Sequence, residues 1–275
     1  MPLFSLPHAS SSAPPRIVVP VLGADEHAVL AHAVEVARSG ADVAEWRLDA
    51  WGAHDGVGAV AMLPRLRAAL DGLPVLATYR SRGEGGPGAL DDDGYAALLT
   101  SLLEGPHDPP EGIDLELTRE GSVVAELTTR ARAHGVSVVG SSHDFAATPS
   151  DDELDTIFDL LAARGSDVLK VAVTPADRGD VLRLLDAAHR AARHGVAVLP
   201  VAMGEAGALT RVAGQGWGAP ATFAMVGAGS APGQVPVAVL RRALDAVDDA
   251  LRAAAGPAGV GVRATCEAHP TGGAA

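Results

Sequence analysis

The chain has 275 residues, a formal net charge of −13, 48% hydrophobic and 20% charged residues. That composition describes a globular chain with ample apolar material for a core, and its acidic balance argues against nucleic acid and anionic membrane surfaces as partners. One cysteine, Cys266, excludes an internal disulfide and a cysteine-based metal cluster.

Residues 1–15, rich in Ser, Pro and Ala, read as a loose tail without the basic and apolar regions of a signal peptide. No run approaches the ~18 apolar residues of a membrane span, so the expected location is the cytoplasm. From residue 16 the pattern alternates. Short β-branched runs at Arg16–Leu22, Val43–Asp49, Pro74–Arg80, Ile113–Leu117, Ser137–His143, Asp167–Val173, Val196–Met203 and Ala221–Val226 are strand candidates. Between them lie Ala/Leu/Arg-rich stretches with helical spacing, such as Glu26–Arg38, Tyr95–Leu103, Ser122–Ala133, Asp152–Ala163 and Ala176–Arg193. Gly40, Gly72, Gly135, Gly165 and Gly195 supply stops, and Ser150 with Glu153 forms a capping box. Eight strand–helix units predict an α/β fold, a (β/α)8 TIM barrel, as a single domain over residues 16–255. A doubly wound open sheet is the alternative; it lacks a Gly-rich phosphate fingerprint after the first strand, where Leu22-Gly-Ala-Asp25 stands. Residues 256–275 read as a second loose tail, with Cys266 and His269 as incidental members.

Parity within the strands carries the chemistry, since successive side chains point to opposite faces. Glu45, Arg47 and Asp49 share one face, as do Asp114 and Glu116; His143 is in step with Ser141, and Lys170 with Val168 and Ala172. The apolar parity suits packing against outer helices, which leaves these polar groups facing the barrel interior. Charges there are expensive unless a site needs them. Lys170 is the single lysine of the chain, set in an apolar run, while every other basic side chain is one of twenty arginines. Arginine stays protonated, whereas a buried lysine can become an amine nucleophile; the plainer alternative is a lysine snorkelling to water at a strand end.

Arg80, His143 and Lys170 lie toward the C-terminal ends of their strands, where barrel active sites form. Two Gly-rich loops, Gly83–Gly88 and Gly227–Gln234, follow at the same rim. Either is a mobile cover or an ordinary flexible connection, and Gly227–Ser230 also suits phosphate. A lysine with a histidine on the adjacent strand suggests imine chemistry with a proton shuttle, and arginines beside them suit a carboxylate-bearing substrate.

The motifs Glu45-Trp-Arg47-Leu-Asp49, Thr78-Tyr-Arg80-Ser, Glu84-Gly-Gly, Ser142-His143-Asp144-Phe, Asp167-Val-Leu-Lys170-Val-Ala, Met203-Gly204, Thr210-Arg211 and Ser230-Ala-Pro-Gly-Gln234 fall in order across residues 16–250. Together they resemble the type I 3-dehydroquinate dehydratases. The resemblance implies a barrel, usually homodimeric, that dehydrates 3-dehydroquinate to 3-dehydroshikimate in the shikimate pathway with no cofactor and no metal. It further implies an imine on Lys170, His143 as general acid and base, and Glu84 orienting that histidine. Glu45, Arg47 and Arg80 would hold ring hydroxyls, and Arg211 the carboxylate with Ser230 and Gln234. Two positions depart from the family pattern: Thr210 stands where serine is common, and Gly218-Ala-Pro220 replaces a Gly-Ser pair. Two other readings remain open from the residues: a Schiff-base aldolase acting on a sugar phosphate, and a sensor barrel that binds dehydroquinate without turnover.

Overall fold

Each strand feeds a helix that returns the chain to the same end of the sheet. The computed structural model describes residues 3–4, 14–51, 55–193, 195–227 and 229–255. The order is β1 (Arg16–Val21), α1 (Glu26–Ala37), β2 (Val43–Arg47), α2 (Gly56–Ala69), β3 (Val75–Thr78), α3 (Asp92–Glu104), β4 (Gly112–Glu116) and α4 (Gly121–Ala133). It continues through β5 (Ser137–Asp144), α5 (Asp151–Ala163), β6 (Val168–Val173), α6 (Arg178–Ala192), β7 (Ala197–Ala202), α7 (Ala208–Val212), β8 (Ala221–Met225), a two-residue β9 (Val235–Pro236) and α8 (Val237–Ala255). Aspartates at positions 25, 55, 91 and 177 cap α1, α2, α3 and α6 by accepting backbone N–H groups. At α5 the Glu153 carboxylate reaches back to the Ser150 N–H at 2.9 Å, the return half of the expected capping box. Gly135 (φ 69°) and Gly165 (φ 82°) end α4 and α5 in the left-handed region that favours glycine.

All the ladders are parallel and the strands are ordered as they occur in sequence, with β1 pairing both β2 and β8. A doubly wound sheet would reverse strand order at a switch point; this one runs round to a (β/α)8 barrel in a single domain. The seam between β7 and β8 carries no ladder among the described residues. The short α7 stands in for it. Ala202 N–H of β7 donates to Thr210 Oγ1 (3.2 Å), and the Thr222 hydroxyl of β8 donates to the Arg211 carbonyl (2.9 Å). Thr210 therefore keeps the hydroxyl that this seam needs. The turn before α7 presses on β7 so closely that a Cβ at Gly207 would lie 2.1 Å from the Ala202 carbonyl. On the other side of β8, Leu22 N–H donates to His32 Nδ1 (3.0 Å), which leaves Nε2–H to donate to Val226 O (3.1 Å). One histidine on α1 thereby pins the ends of β1 and β8 together.

Parity divides the core as the sequence pattern implies. Ile17, Val19, Ala44, Trp46, Ala77 and Leu115 pack outward against α1–α4, and Leu169, Val171 and Val198 against Phe158 and Leu184 of α5 and α6. The opposite parity, Val18, Val43, Leu76, Val139, Val168 and Leu199, fills the interior near the N-terminal ends of the strands. Leu3 and Phe4 join this inner cluster. Leu3 N–H donates to Ser137 Oγ (2.9 Å), and its carbonyl accepts from Arg16 Nη1 (3.1 Å). These two residues lie in the segment expected to be a loose tail and instead plug the barrel base, because strand-start side chains satisfy their backbone and each buried side chain contributes roughly 1.5–3 kcal/mol. The rest of that segment, and residues 256–275 with Cys266 and His269, lie outside the described residues. Among the described residues no helix is long and apolar enough to cross a membrane.

Candidate active site

A cavity opens at the C-terminal ends of the strands, and all nine residues assigned a site role from the sequence line it: Glu45, Arg47, Arg80, Glu84, His143, Lys170, Arg211, Ser230 and Gln234. Its floor is β6. Lys170 is 5% exposed; its Nζ donates to Asp114 Oδ2 (3.2 Å), stands 3.9 Å from Glu45 Oε1, and lies 4.5 Å above the Phe223 ring. Register brings it beside the histidine strand, since Ser141 pairs with Lys170 and His143 with Ala172.

His143 Nδ1 lies 2.9 Å from Glu84 Oε2, and the same oxygen accepts from Arg80 Nη1 at 3.0 Å. Because Arg80 can only donate, that oxygen is an acceptor. His143 thus gives its Nδ1–H to Glu84 and keeps a lone pair on Nε2. Thr118 donates to the other Glu84 oxygen (2.9 Å). Burial, followed by the cations Arg80, Lys170 and Arg47, holds the imidazole well below its ordinary pKa. Burial also pushes Glu84 up, to about 7: Glu116 and Asp114 add to the rise, and Arg80 and Thr118 only partly offset it.

Arg80, read from the sequence as a contact for ring hydroxyls, has both terminal nitrogens engaged by protein acceptors. Nη1 donates to Glu84, Glu116 (3.0 Å) and Ser141 (2.9 Å), and Nη2 to Asp114 Oδ1 (2.8 Å). Burial lowers the pKa of this guanidinium, but the carboxylates of Asp114, Glu84 and Glu116 outweigh it and raise it. Asp114 mirrors it: burial raises its pKa, and Arg80 with Lys170 more than reverses that. Arg47 is bidentate to Asp49 (2.9 and 2.6 Å), whose Oδ1 also accepts from Arg80 N–H at 3.0 Å. Thr78 donates to Glu45 Oε1 (3.0 Å). Four cations, Arg47, Arg80, Arg119 and Lys170, thus meet six carboxylates, Glu45, Asp49, Glu84, Asp92, Asp114 and Glu116. Carboxylates are in excess, and Glu84 is the one pushed toward neutrality.

The Gly-rich loop after β3 is bonded back onto its own strand. Arg82 N–H donates to Gly88 O (3.0 Å), Gly88 N–H to Arg80 O (3.1 Å), and Ala89 and Leu90 N–H both donate to Tyr79 Oη (2.9 Å). Its glycines serve close approach: a Cβ at Gly86 would sit 2.2 Å from the Arg80 carbonyl, and one at Gly85 2.2 Å from the Phe145 ring. This turn fixes Glu84. Across the mouth, Arg211 is 2% exposed, yet among the described residues it makes only long bonds to Phe223 O (3.5 Å) and Pro232 O (3.2 Å), and its Nε is buried with no partner there. Burial alone lowers it to about 10, the mark of a guanidinium lacking an anion. Ser230 N–H donates to Gln234 Oε1 (2.7 Å) and Gln234 Nε2 to Ser230 Oγ (3.1 Å), which holds the Ser230–Gln234 loop over Arg211.

Asp114, Glu116 and Ser141 show in the sequence as polar parity without an assigned role, Phe145 as the last residue of the histidine motif, and Thr118 and Phe223 carry no signal. Among the described residues no group of three or more His, Cys, Asp or Glu side chains is arranged to hold a metal ion.

Fold and site together define a (β/α)8-barrel enzyme with a buried amine and a carboxylate-held imidazole in one cavity. The sequence model of the family described as Type I 3-dehydroquinase matches residues 17–250. The chain belongs to this family of lyases, which dehydrate 3-dehydroquinate in the shikimate pathway. It is 36% identical over 233 residues to a 3-dehydroquinate dehydratase from Klebsiella pneumoniae, covering 83% of this chain and 92% of that protein. Over 234 residues it is 34% identical to the one from Bacillus subtilis, covering 84% and 91%. The crystal structure of 3-dehydroquinate dehydratase from Geobacillus kaustophilus superimposes with a TM-score of 0.81 at 34% identity, covering 86% of this chain and 91% of that one. That of the type I enzyme from Clostridium difficile, with covalently modified comenic acid, gives a TM-score of 0.83 at 27% identity and covers 89% and 95%. Barrels that act on sugar phosphates, such as 3-hexulose-6-phosphate synthase (TM-score 0.53, 18% identity), share the fold alone, and the aldolase reading falls away with the family assignment.

Proposed function

We propose that the dehydration of 3-dehydroquinate runs through an imine on Lys170, with His143 moving the protons. The observation that carries this reading is the joint placement of Lys170 Nζ and the Glu84-held imidazole on one cavity wall. Lys170, having passed a proton to His143 Nε2, adds to the C3 ketone, and His143 returns that proton to the hydroxyl of the adduct, which leaves as water to give the imine. His143 Nε2 takes the C2 proton, the imine accepting the electron pair, and returns a proton to the C1 hydroxyl as it leaves as water. A second water hydrolyses the imine, so the net change is loss of one water. Glu45 and Arg47 hold the ring hydroxyls, Arg80 fixes Asp114 and Glu84 from the same wall, and Arg211, Ser230 and Gln234 receive the carboxylate. The family resemblance supports a homodimer acting in the cytoplasm; sedimentation of the purified chain tests the former. Borohydride added with 3-dehydroquinate tests the imine. A stable adduct on Lys170 is expected, and an unchanged intact mass would sink the mechanism.

Arg211→Ala is expected to raise KM about 30-fold or more, because losing one partner of a buried charge-assisted pair costs about 2 kcal/mol at least. Trapping at saturating substrate should persist, since the clamp acts on ground and transition states alike. Arg211→Lys restores only part, a point charge lacking the planar fork. A KM close to that of the parent would place the carboxylate elsewhere.

The pH dependence has a defined sign. His143, held well below its ordinary pKa, is neutral through the working range, whereas Glu84 titrates at about 7. Below that pH Glu84 is protonated and no longer anchors the His143 Nδ1–H. kcat/KM should therefore rise through about pH 7 and level off above it, and Glu84→Gln should remove that limb while lowering the plateau. Persistence of the same limb in Glu84→Gln would assign it to another group.

A further inference from the structure

We propose that Arg119, outside the cavity, is a positioning residue for the dehydration, acting through Glu116 and Arg80 to keep Glu84 ionised and His143 oriented. The proposal rests on the reading of Glu84 and His143 as the acid–base unit. Arg119 follows β4 on the turn into α4, is 7% exposed, and does not line the active-site cavity. Its guanidinium lies 4.3 Å over the Tyr95 ring, with Nη1 donating to Asp92 Oδ1 and Leu90 O at 3.0 Å each. Its Nε donates to Glu116 Oε2 at 3.1 Å. Glu116 is wholly buried, and its other oxygen accepts from Arg80 Nη1 (3.0 Å) and Ser81 N–H (2.7 Å). Arg80 then reaches Glu84 Oε2, the oxygen against His143 Nδ1.

The line of charge is cation, anion, cation, anion, imidazole, and buried at almost every step. Glu84 is faced by Arg80 from the end of β3, by Asp114, Glu116 and Thr118 from β4 and its following turn, and by His143 from β5. Asp114 in turn engages Lys170 of β6, and Glu45 and Arg47 of β2 stand in the same cavity. Arg80 already divides its charge among Asp114, Glu84 and Glu116. Take away Arg119 and, among the described residues, Glu116 is left with Arg80 as its one cation, so the uncompensated negative charge around Glu84 grows. Ionised Glu84 is disfavoured, and its protonation moves to higher pH. Arg119 also ties the segment around Leu90 and Asp92 to β4, but that contact by itself predicts no change in a pH profile.

The test is the kcat/KM profile of the full chain from about pH 5.5 to about pH 9. Arg119→Gln keeps a donor for Glu116 and removes the charge. Its acid limb should move up by about half a unit to one unit, so that activity falls most at the acid end, with KM on the plateau little changed. Arg119→Lys keeps the charge and should leave the limb in place. A folded Arg119→Gln protein with an unmoved limb, or with the same loss at every pH, would overturn the proposal. If Arg119→Gln is recovered only unfolded, the double variant Glu116→Gln, Arg119→Gln also removes the carboxylate that raises Glu84, so its limb should lie at or below the parental pH; an upward shift there overturns it equally. Glu84→Gln separates the layers: a limb that survives in it means the Glu84–His143 reading has failed, independently of Arg119.

Discussion

Replacing Lys170 with arginine is expected to abolish the borohydride adduct and to lower kcat on the order of 10⁴-fold or more, as loss of a covalent nucleophile does. The variant keeps a cation where the protein has one, facing Asp114 at 3.2 Å and Glu45 at 3.9 Å. It removes only the ability to become a neutral amine, which the delocalised guanidinium does not do near neutrality. Its melting temperature should stay near that of the parent. Lys170→Ala, by contrast, leaves fully buried Asp114 with Arg80 as its sole cation, and breaking such a buried pair costs about 3–5 kcal/mol. Comparing the two separates chemistry from folding. Assays are turnover and intact mass after reduction; since Lys170 is the single lysine, the α-amino group is the one other amine that can carry label. Substantial turnover by Lys170→Arg would mean that dehydration proceeds without the imine.

The barrel was legible because its two physical signals are both local. Alternation within a strand separates the faces, as at Glu45, Trp46 and Arg47, and glycine marks where helices stop, as at Gly135 and Gly165. The seam at β7 and β8 was not legible. Its closure depends on Thr210 and Arg211 of α7 bonding across a gap in the ladder, and nothing in the spacing of those residues announces that a helix of five residues replaces strand pairing. Leu3 was also missed. A polar, proline-rich neighbourhood outweighed two apolar residues whose partners, Ser137 and Arg16, are set by the three-dimensional closure of the base.

For the site, parity told which side chains share the interior but not which charges pair across it. Pairing depends on the stagger between strands. Thr78 lies level with Asp114, and Asp114 with Val139, which sets the Arg80 guanidinium just above both carboxylates of β4. Arg80 accordingly binds the protein's own anions, while Arg211, on the side of the barrel without a ladder, is left under-bonded. The Gly83–Gly88 loop stays open between two readings in the sequence for a related reason: glycine marks freedom and close approach alike, and only the packing against Arg80 and Phe145 distinguishes them.

That same network defines what His143→Ala should do. Lys170 keeps both of its carboxylate contacts, so the amine remains placed and the imine should still form slowly and be trappable. What disappears is the base at C2 and the acid at the departing C1 hydroxyl, a loss of about 10²–10⁴-fold in kcat for one general acid–base group. Glu84 loses its imidazole partner but retains Arg80 and Thr118, which limits the damage to the fold. The expected signature is thus a protein that melts near the parent, accumulates adduct under borohydride, and turns over poorly at every pH, without the limb near 7 regaining activity above it. His143→Gln, which keeps a donor toward Glu84 but no titratable nitrogen, should be as slow. If either variant turns over at a near-parental rate, the proton is moved by another group, and water held by ionised Glu84 is the candidate that the geometry leaves.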